Sequence, residues 1–254
     1  MAALSLSTFF AQPNIAVWSY LYLTSSIITA TIAILVVNKM VAPPRPIFSE
    51  LKSNIGQGIY FSISASANNI NAGLDKSMLG KLSNVASAGI YGSAYRFIDV
   101  GNVPLFAIFG ASYKRFFQHG ASGIKGSLDF AKRLLPVLTL YAVGSFLGYW
   151  LLAPFIPVIL GEEYREAIGA LLWLSPLPAI AAFQYLAADT LTGSGHQKAR
   201  SMVQLAAAVV NISLNIWLIP QFSWKGAAWA TLISDSLRLI CLWLIVFWLR
   251  RKVP

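Results

Sequence analysis

The sequence is poor in charge. Only 11% of its 254 residues are Asp, Glu, Lys or Arg, and just 9 are acidic, where a soluble domain carries about 25% charged residues. Disorder and long coiled coils need charged, apolar-poor sequence, so both are excluded. With 57% hydrophobic residues and a mean hydropathy of +0.64, a soluble fold would leave large apolar patches in water. Cysteine is nearly missing: Cys241 stands alone, which excludes an intrachain disulfide and any CxxC metal motif. Histidine is as scarce. His119 and His196 lie far apart in hydrophilic segments, so neither a metal site nor another cofactor is expected. There is no DDxxD-like acidic cluster, and Glu162-Glu163 is a lone pair. That argues against a metal-dependent polyprenyl-phosphate sugar transferase, and no enzyme is expected. Polar stretches long enough for a soluble domain are missing as well.

What remains is apolar sequence in long runs. A helix that crosses a bilayer needs about 20 mostly apolar residues. Seven stretches qualify to different degrees: Ile15–Val37, Ile55–Ala72, Val85–Ala111, Leu134–Leu160, Ala167–Ala188, Met202–Ile219 and Ala227–Leu249. The expected fold is therefore all-α, a polytopic transmembrane helix bundle of about seven spans. The second stretch is rich in Ser and Asn, so it is expected to line water or other helices. Pro136, Gly144, Gly148, Pro154 and Pro157 punctuate the fourth and predict bends.

The net charge of +10 would hint at nucleic acid in a soluble protein. Its distribution gives another reason. Thirteen Lys and Arg fall in the loops and tail of one side, among them Lys132, Arg133, Arg250, Arg251 and Lys252. Only Lys76, Lys81, Arg165 and Lys225 fall on the other side. Such a bias places the basic side in the cytoplasm, with the C-terminus inside and the N-terminus outside. No nucleic-acid partner is then required. Residues 1–14 lack the basic n-region and cleavage site of a signal peptide. A chain that begins in this way looks as though something upstream is missing.

Ionised groups near mid-bilayer cost at least about 2.5–3.5 kcal/mol each, so they are read as functional by default. Arg96 and Arg238 each lie 12 residues inside the outer edge of their spans, which is near mid-depth at about 1.5 Å per residue. A guanidinium fork suits phosphate, so both are candidate substrate-binding residues. Asp99 and Asp235 stand three residues from these arginines and could simply neutralise them. They are candidates for the same site. Gly89, Gly92, Ser93, Arg96 and Asp99 are expected on one inward stripe. Ala227, Thr231, Ser234 and Arg238 should form another, and Gln204, Ala208, Asn211 and Asn215 a third. Asn69, Asn211 and Asn215 join the substrate-binding candidates, with interhelical hydrogen bonding the simpler account of the last two. Asp75 and Lys76, at an outer helix end, are candidates for gating or coupling, against a plain interfacial role.

Four stretches carry a family likeness. The first is Asp75-Lys76-Ser77-Met78-Leu79-Gly80, with Ala88-Gly89-Ile90-Tyr91 and Ala94-Tyr95-Arg96 after it. The second is Gly161-Glu162-Glu163-Tyr164 with Ala167. The third is Leu191-Thr192-Gly193-Ser194-Gly195-His196-Gln197 with Arg200. The fourth is Asn211, Asn215 and Ile219-Pro220, then Lys225-Gly226-Ala227-Ala228-Trp229-Ala230-Thr231. In order and spacing they resemble the C-terminal lobe of the polysaccharide (O-antigen) flippases of the multidrug/oligosaccharidyl-lipid/polysaccharide exporter superfamily.

The resemblance implies two six-helix lobes about a central cavity. It implies alternating access, usually driven by a cation gradient, and a cargo of oligosaccharide repeat units on polyprenyl diphosphate. Arg96 matches a recurrent basic position of the family. The implied membrane is the inner cell membrane, and the implied partners include polysaccharide polymerase machinery. Residues 1–50 would be an outer N-terminal segment, the last helix of a first lobe and an inner linker. Residues 51–254 would be the six-helix second lobe. One lobe cannot enclose a two-sided cavity, so the expectation is a fragment or split gene product, a pairing with an N-terminal lobe chain, or two assembled copies. Two alternatives stay open: a drug or cation antiporter of the same superfamily, and a non-transporting subunit of a polysaccharide assembly complex.

Overall fold

The structure, a computed structural model, describes residues 15–40, 55, 59 and 73–252. These residues are almost wholly helical, and no strand occurs among them. Inside a bilayer every backbone N–H and C=O needs a partner within the chain, and a helix supplies it locally. The chain divides into two compact units, Met1–Asn54 and Ile55–Pro254. The first contributes one described helix, α1, Ile15–Met40. In the second unit, α2 covers residues 73–82, α3 Val85–Gly120, α4 Ile124–Leu152 and α5 Ile156–Leu160. These are followed by α6 Glu166–Leu174, α7 Leu177–Gly193, α8 Gln197–Phe222 and α9 Trp224–Lys252.

Five described helical stretches are long and apolar enough to cross a membrane: Tyr22–Met40, Ile124–Leu160, Ala167–Gly193, Gln197–Phe222 and Trp224–Lys252. This gives the chain the character of a membrane protein. Two of the seven expected spans are not among the five. Most of Ile55–Ala72 lies outside the described residues. The stretch expected at Val85–Ala111 is helical, but it belongs to a 36-residue helix diluted by Arg96, Asp99, Lys114 and Arg115. At about 1.5 Å per residue, α3 is roughly 54 Å long, well beyond a hydrocarbon core of about 30 Å.

Local chemistry sets where the helices begin and stop. Asn84 caps α3, its side chain accepting from Ser87 N at 2.7 Å. Pro176 separates α6 from α7, having no N–H to continue the ladder. The expected bends are only partly there. Pro136 sits within continuous α4, whereas Pro154 opens a 3-10 turn and Pro157 the short α5.

Small residues bring helices close. Gly120 and Gly193 lie where the ends of α3 and α7 cross backbone to backbone, and a Cβ on either would collide with the other helix. Gly193→Val is expected to cost about 1–3 kcal/mol by overpacking, read as a lowered melting midpoint of the protein in detergent. Val209→Ala, on an exposed face of α8, should leave that midpoint unchanged.

Helices α8 and α9 share the most extensive contact among the described helices, closed by a turn at Ser223 (φ 55°) with Gly226 packed on the Leu218 carbonyl. Ser223 Oγ donates to Ser87 Oγ at 2.7 Å and lies 2.8 Å from Ser83 Oγ. These contacts tie that turn to the α2–α3 turn. The buried core near this end contains Leu79, Tyr91, Ile98, Leu171 and Ile219.

Candidate functional site

Polar side chains gather in three buried layers along α7, α8 and α9. The first lies near the α2 end. There Asp75, 3% exposed, points its carboxylate into the bundle. Asn215 Nδ2 donates to Asp75 Oδ1 at 2.7 Å, and Thr231 Oγ1 donates to Oδ2 at 2.7 Å. Tyr91 Oη donates to the same Oδ2 at 3.3 Å and lies 3.1 Å from Thr231 Oγ1. Asn215 also donates to Asn211 Oδ1 at 2.9 Å, and Asn211 donates to Ser234 Oγ at 3.2 Å. Four helices, α2, α3, α8 and α9, thus meet on one carboxylate.

The donor count here is tight. Thr231 has one hydroxyl hydrogen for two acceptors, Asp75 and the Ala227 carbonyl at 3.0 Å. Asn215 Oδ1 is buried with no hydrogen-bond partner among the described residues. No basic side chain forms an ion pair with Asp75 among them. Lys76 turns away and sets its ammonium 4.8 Å over the Tyr95 ring. A buried carboxylate without a counter-ion is costly unless it takes up a proton or a cation. The oxygens within this cluster are the Asp75 carboxylate, the unpartnered Asn215 Oδ1 and the hydroxyls of Thr231 and Tyr91, while Asn215 turns its Nδ2 to the carboxylate. That set suits a hard cation and disfavours a soft one. Among the described residues no three His, Cys, Asp or Glu side chains gather.

The second layer ties α7 to α9. Arg238 pairs with Asp235 at 3.1 Å, their side chains 15% and 21% exposed. Arg238 Nη2 donates to Gln184 Oε1, and Gln184 Nε2 donates to the Asp235 carbonyl, each at 2.5 Å. The expected local pair therefore forms here, and Gln184 holds it against α7.

The third layer lies at the α7–α8 turn. Arg200 Nη1 meets Asp189 Oδ1 at 3.1 Å and donates to Thr192 Oγ1 at 2.8 Å. Thr192 in turn donates to Gln197 Oε1 at 2.7 Å. The ionic partners are 12% and 7% exposed.

Arg96 stands apart from all three layers. It is exposed, as is Asp99, and the expected pair between them does not form. The buried face of α3 is Ser87, Tyr91, Ala94 and Ile98, so the stripe expected from Gly89 through Arg96 to Asp99 is not the packed one. Gly89 is exposed while Ser93 is buried. The other two stripes do face inward: Gln204, Ala208, Asn211 and Asn215 on α8 are buried, as are Ala227, Thr231 and Ser234 on α9. Asn69 lies outside the described residues.

Sequence reasoning missed Tyr91, Gln184 and Asp189 as partners. Asp189 and Arg200 flanking a glycine-bearing turn was the available signal. Tyr91 and Gln184 offered none, being ordinary residues on apolar faces. No family model, no curated protein and no solved structure matches the chain.

Proposed function

We propose that the chain is the C-terminal lobe, with one helix of the preceding lobe, of a cation-coupled flippase for oligosaccharide carried on polyprenyl diphosphate. In this reading it lies in the inner cell membrane, N-terminus outside and C-terminus in the cytoplasm, and works with an N-terminal lobe or a second copy. The single observation that supports it most is the buried Asp75 carboxylate, which has no basic partner among the described residues and is held by Asn215, Thr231 and Tyr91 from three other helices. A bundle with only structural duties gains nothing from such a group. A coupled transporter uses it: taking up or releasing a proton or alkali cation changes the charge among four helices and biases their packing.

Arg96 is an exposed cation on α3, as are Lys114 and Arg115 further along it, and it is the one that would meet the diphosphate. Its charge favours anionic cargo over the organic cations of a drug antiporter. Arg238, held by Gln184 and Asp235, would assist only by exchanging that pair for phosphate.

Complementation of cells lacking their polysaccharide flippase tests this reading, with surface polysaccharide as readout. The chain would be expressed alone and with a separately expressed N-terminal lobe. Arg96→Ala should reduce recovery at least tenfold at unchanged protein level, and Arg96→Lys should retain more. Equal recovery by Arg96→Ala would remove Arg96 from the cargo path.

A further inference from the structure

The basic end of the second unit carries a groove that none of the polar layers uses. It runs between α4, α7 and α9 and encloses about 290 Å³. Its walls are apolar: Leu128 and Leu135 from α4, Leu186 from α7, Trp243 and Phe247 from α9. Trp243 is fixed in place, its indole N–H donating to the Phe183 carbonyl at 3.2 Å and its ring 5.5 Å from that of Phe247.

Lys132 and Arg250 complete the lining. Arg250 is exposed and forms no hydrogen bond or ion pair among the described residues. Lys132 holds Asp129 at 2.6 Å, but both side chains are more than half exposed. A pair so open to water contributes little and exchanges readily. Asp129 also feels the charges of Arg250 and Arg133. The charged groups that line the groove are the two cations Lys132 and Arg250, with Asp129 beside Lys132.

We infer that this groove is a binding site for an anionic glycerophospholipid, one acyl chain between Leu135, Leu186 and Trp243 and the phosphate on Arg250 and Lys132. The two cations stand just outside the apolar runs Leu134–Leu160 and Ala227–Leu249, the position at which a spanning helix meets lipid headgroups. Arg250 lies two residues from the end of α9 and Lys132 eight from the start of α4, which is about 3 Å and about 12 Å along the helix axes. Phosphate of the surrounding membrane is found at that depth, whereas a diphosphate in transit needs cations deeper in the core. An acyl chain in an apolar groove and a charge-assisted contact at its mouth reinforce each other, because each holds the other in register. The site is independent of what the protein transports.

The test uses the full chain purified in a neutral detergent, with bound lipid counted by native mass spectrometry and the melting midpoint followed. The probes are phosphatidylglycerol, phosphatidylcholine of the same chains, inorganic phosphate and polyprenyl phosphate. Phosphatidylglycerol should bind at least tenfold more tightly than phosphatidylcholine and raise the midpoint. The double variant Lys132→Ala/Arg250→Ala should lose that preference while keeping its helical circular dichroism. Should this pair not fold, Arg250→Gln alone serves, with a smaller loss expected. Equal binding of the two phospholipids would overturn the proposal. So would an unchanged preference in the folded variants, or inorganic phosphate giving the whole stabilisation. Tighter binding of polyprenyl phosphate than of phosphatidylglycerol would reassign the groove to cargo.

Discussion

Asp75→Asn is expected to abolish coupled transport while leaving the bundle assembled. Asparagine has nearly the same shape. Its Oδ1 can accept from Asn215 Nδ2, and its Nδ2 can donate to Thr231 Oγ1, which then gives its hydrogen to the Ala227 carbonyl. Tyr91 Oη, which gives its hydrogen to Oδ2 in the parent, can turn it to Thr231 Oγ1 at 3.1 Å, so the hydrogen bonds are rebuilt and Asn215 Oδ1 stays unpartnered as before. Only the charge is gone, and with it the capacity to take up a proton or cation. Surface polysaccharide in complemented cells should fall at least a hundredfold, with protein level and helix content within about twofold of the parent. Asp75→Glu keeps the charge but pushes an extra methylene into a site shared by Tyr91, Asn215 and Thr231. That overpacking costs about 1–3 kcal/mol, so partial transport at reduced protein level is expected.

The second large effect concerns the Asp189–Arg200 pair. Both side chains are mostly buried, and removing one leaves the other charged group stranded. One-sided loss of a buried pair costs about 3–5 kcal/mol. Asp189→Leu and Arg200→Met should each lower the melting midpoint sharply and reduce protein in the membrane. The double variant Asp189→Leu/Arg200→Met removes both charges and puts apolar side chains in their place. It should be more stable than either single variant, and a double-mutant cycle on the detergent-purified protein would show the difference. Additive losses would mean that the two groups do not share one desolvated site.

These two clusters show what one sequence displays and what it hides. The faces of α8 and α9 were legible. Gln204, Ala208, Asn211 and Asn215 follow helical spacing, as do Ala227, Thr231 and Ser234, and all are buried. A bilayer-spanning bundle forces polar groups inward, so small and polar residues on one stripe predict packing.

The packed face of α3 is not the one that carries Arg96 and Asp99, which are exposed. Packing is instead carried by the aromatic and aliphatic residues Tyr91, Ala94 and Ile98. Helices also run beyond the apolar stretches wherever hydropathy and hydrogen bonding part company. Helix α3 continues to Gly120 through Lys114 and Arg115, and α4 begins at Ile124, ten residues before the apolar run at Leu134. Charged residues extend a helix beyond the hydrocarbon as readily as apolar ones extend it within.

Partners distant in the chain stayed hidden. Asp75 and Asn215 are 140 residues apart, and no local pattern encodes that pairing. Asp75 itself could be chosen as a coupling candidate from its position, but its burial beneath Tyr91 and Thr231 follows only from how α2, α3, α8 and α9 meet.

The most direct measurement removes the gene from its own cell. Polyprenyl-diphosphate-linked oligosaccharide on the inner leaflet and polysaccharide at the surface would be quantified together. The lipid-linked units should accumulate inside and the surface polymer should be lost. Both changes should be reversed by the parent chain and not by Asp75→Asn. Full surface polysaccharide in the deletion strain, with no accumulation of lipid-linked units, would contradict the flippase reading.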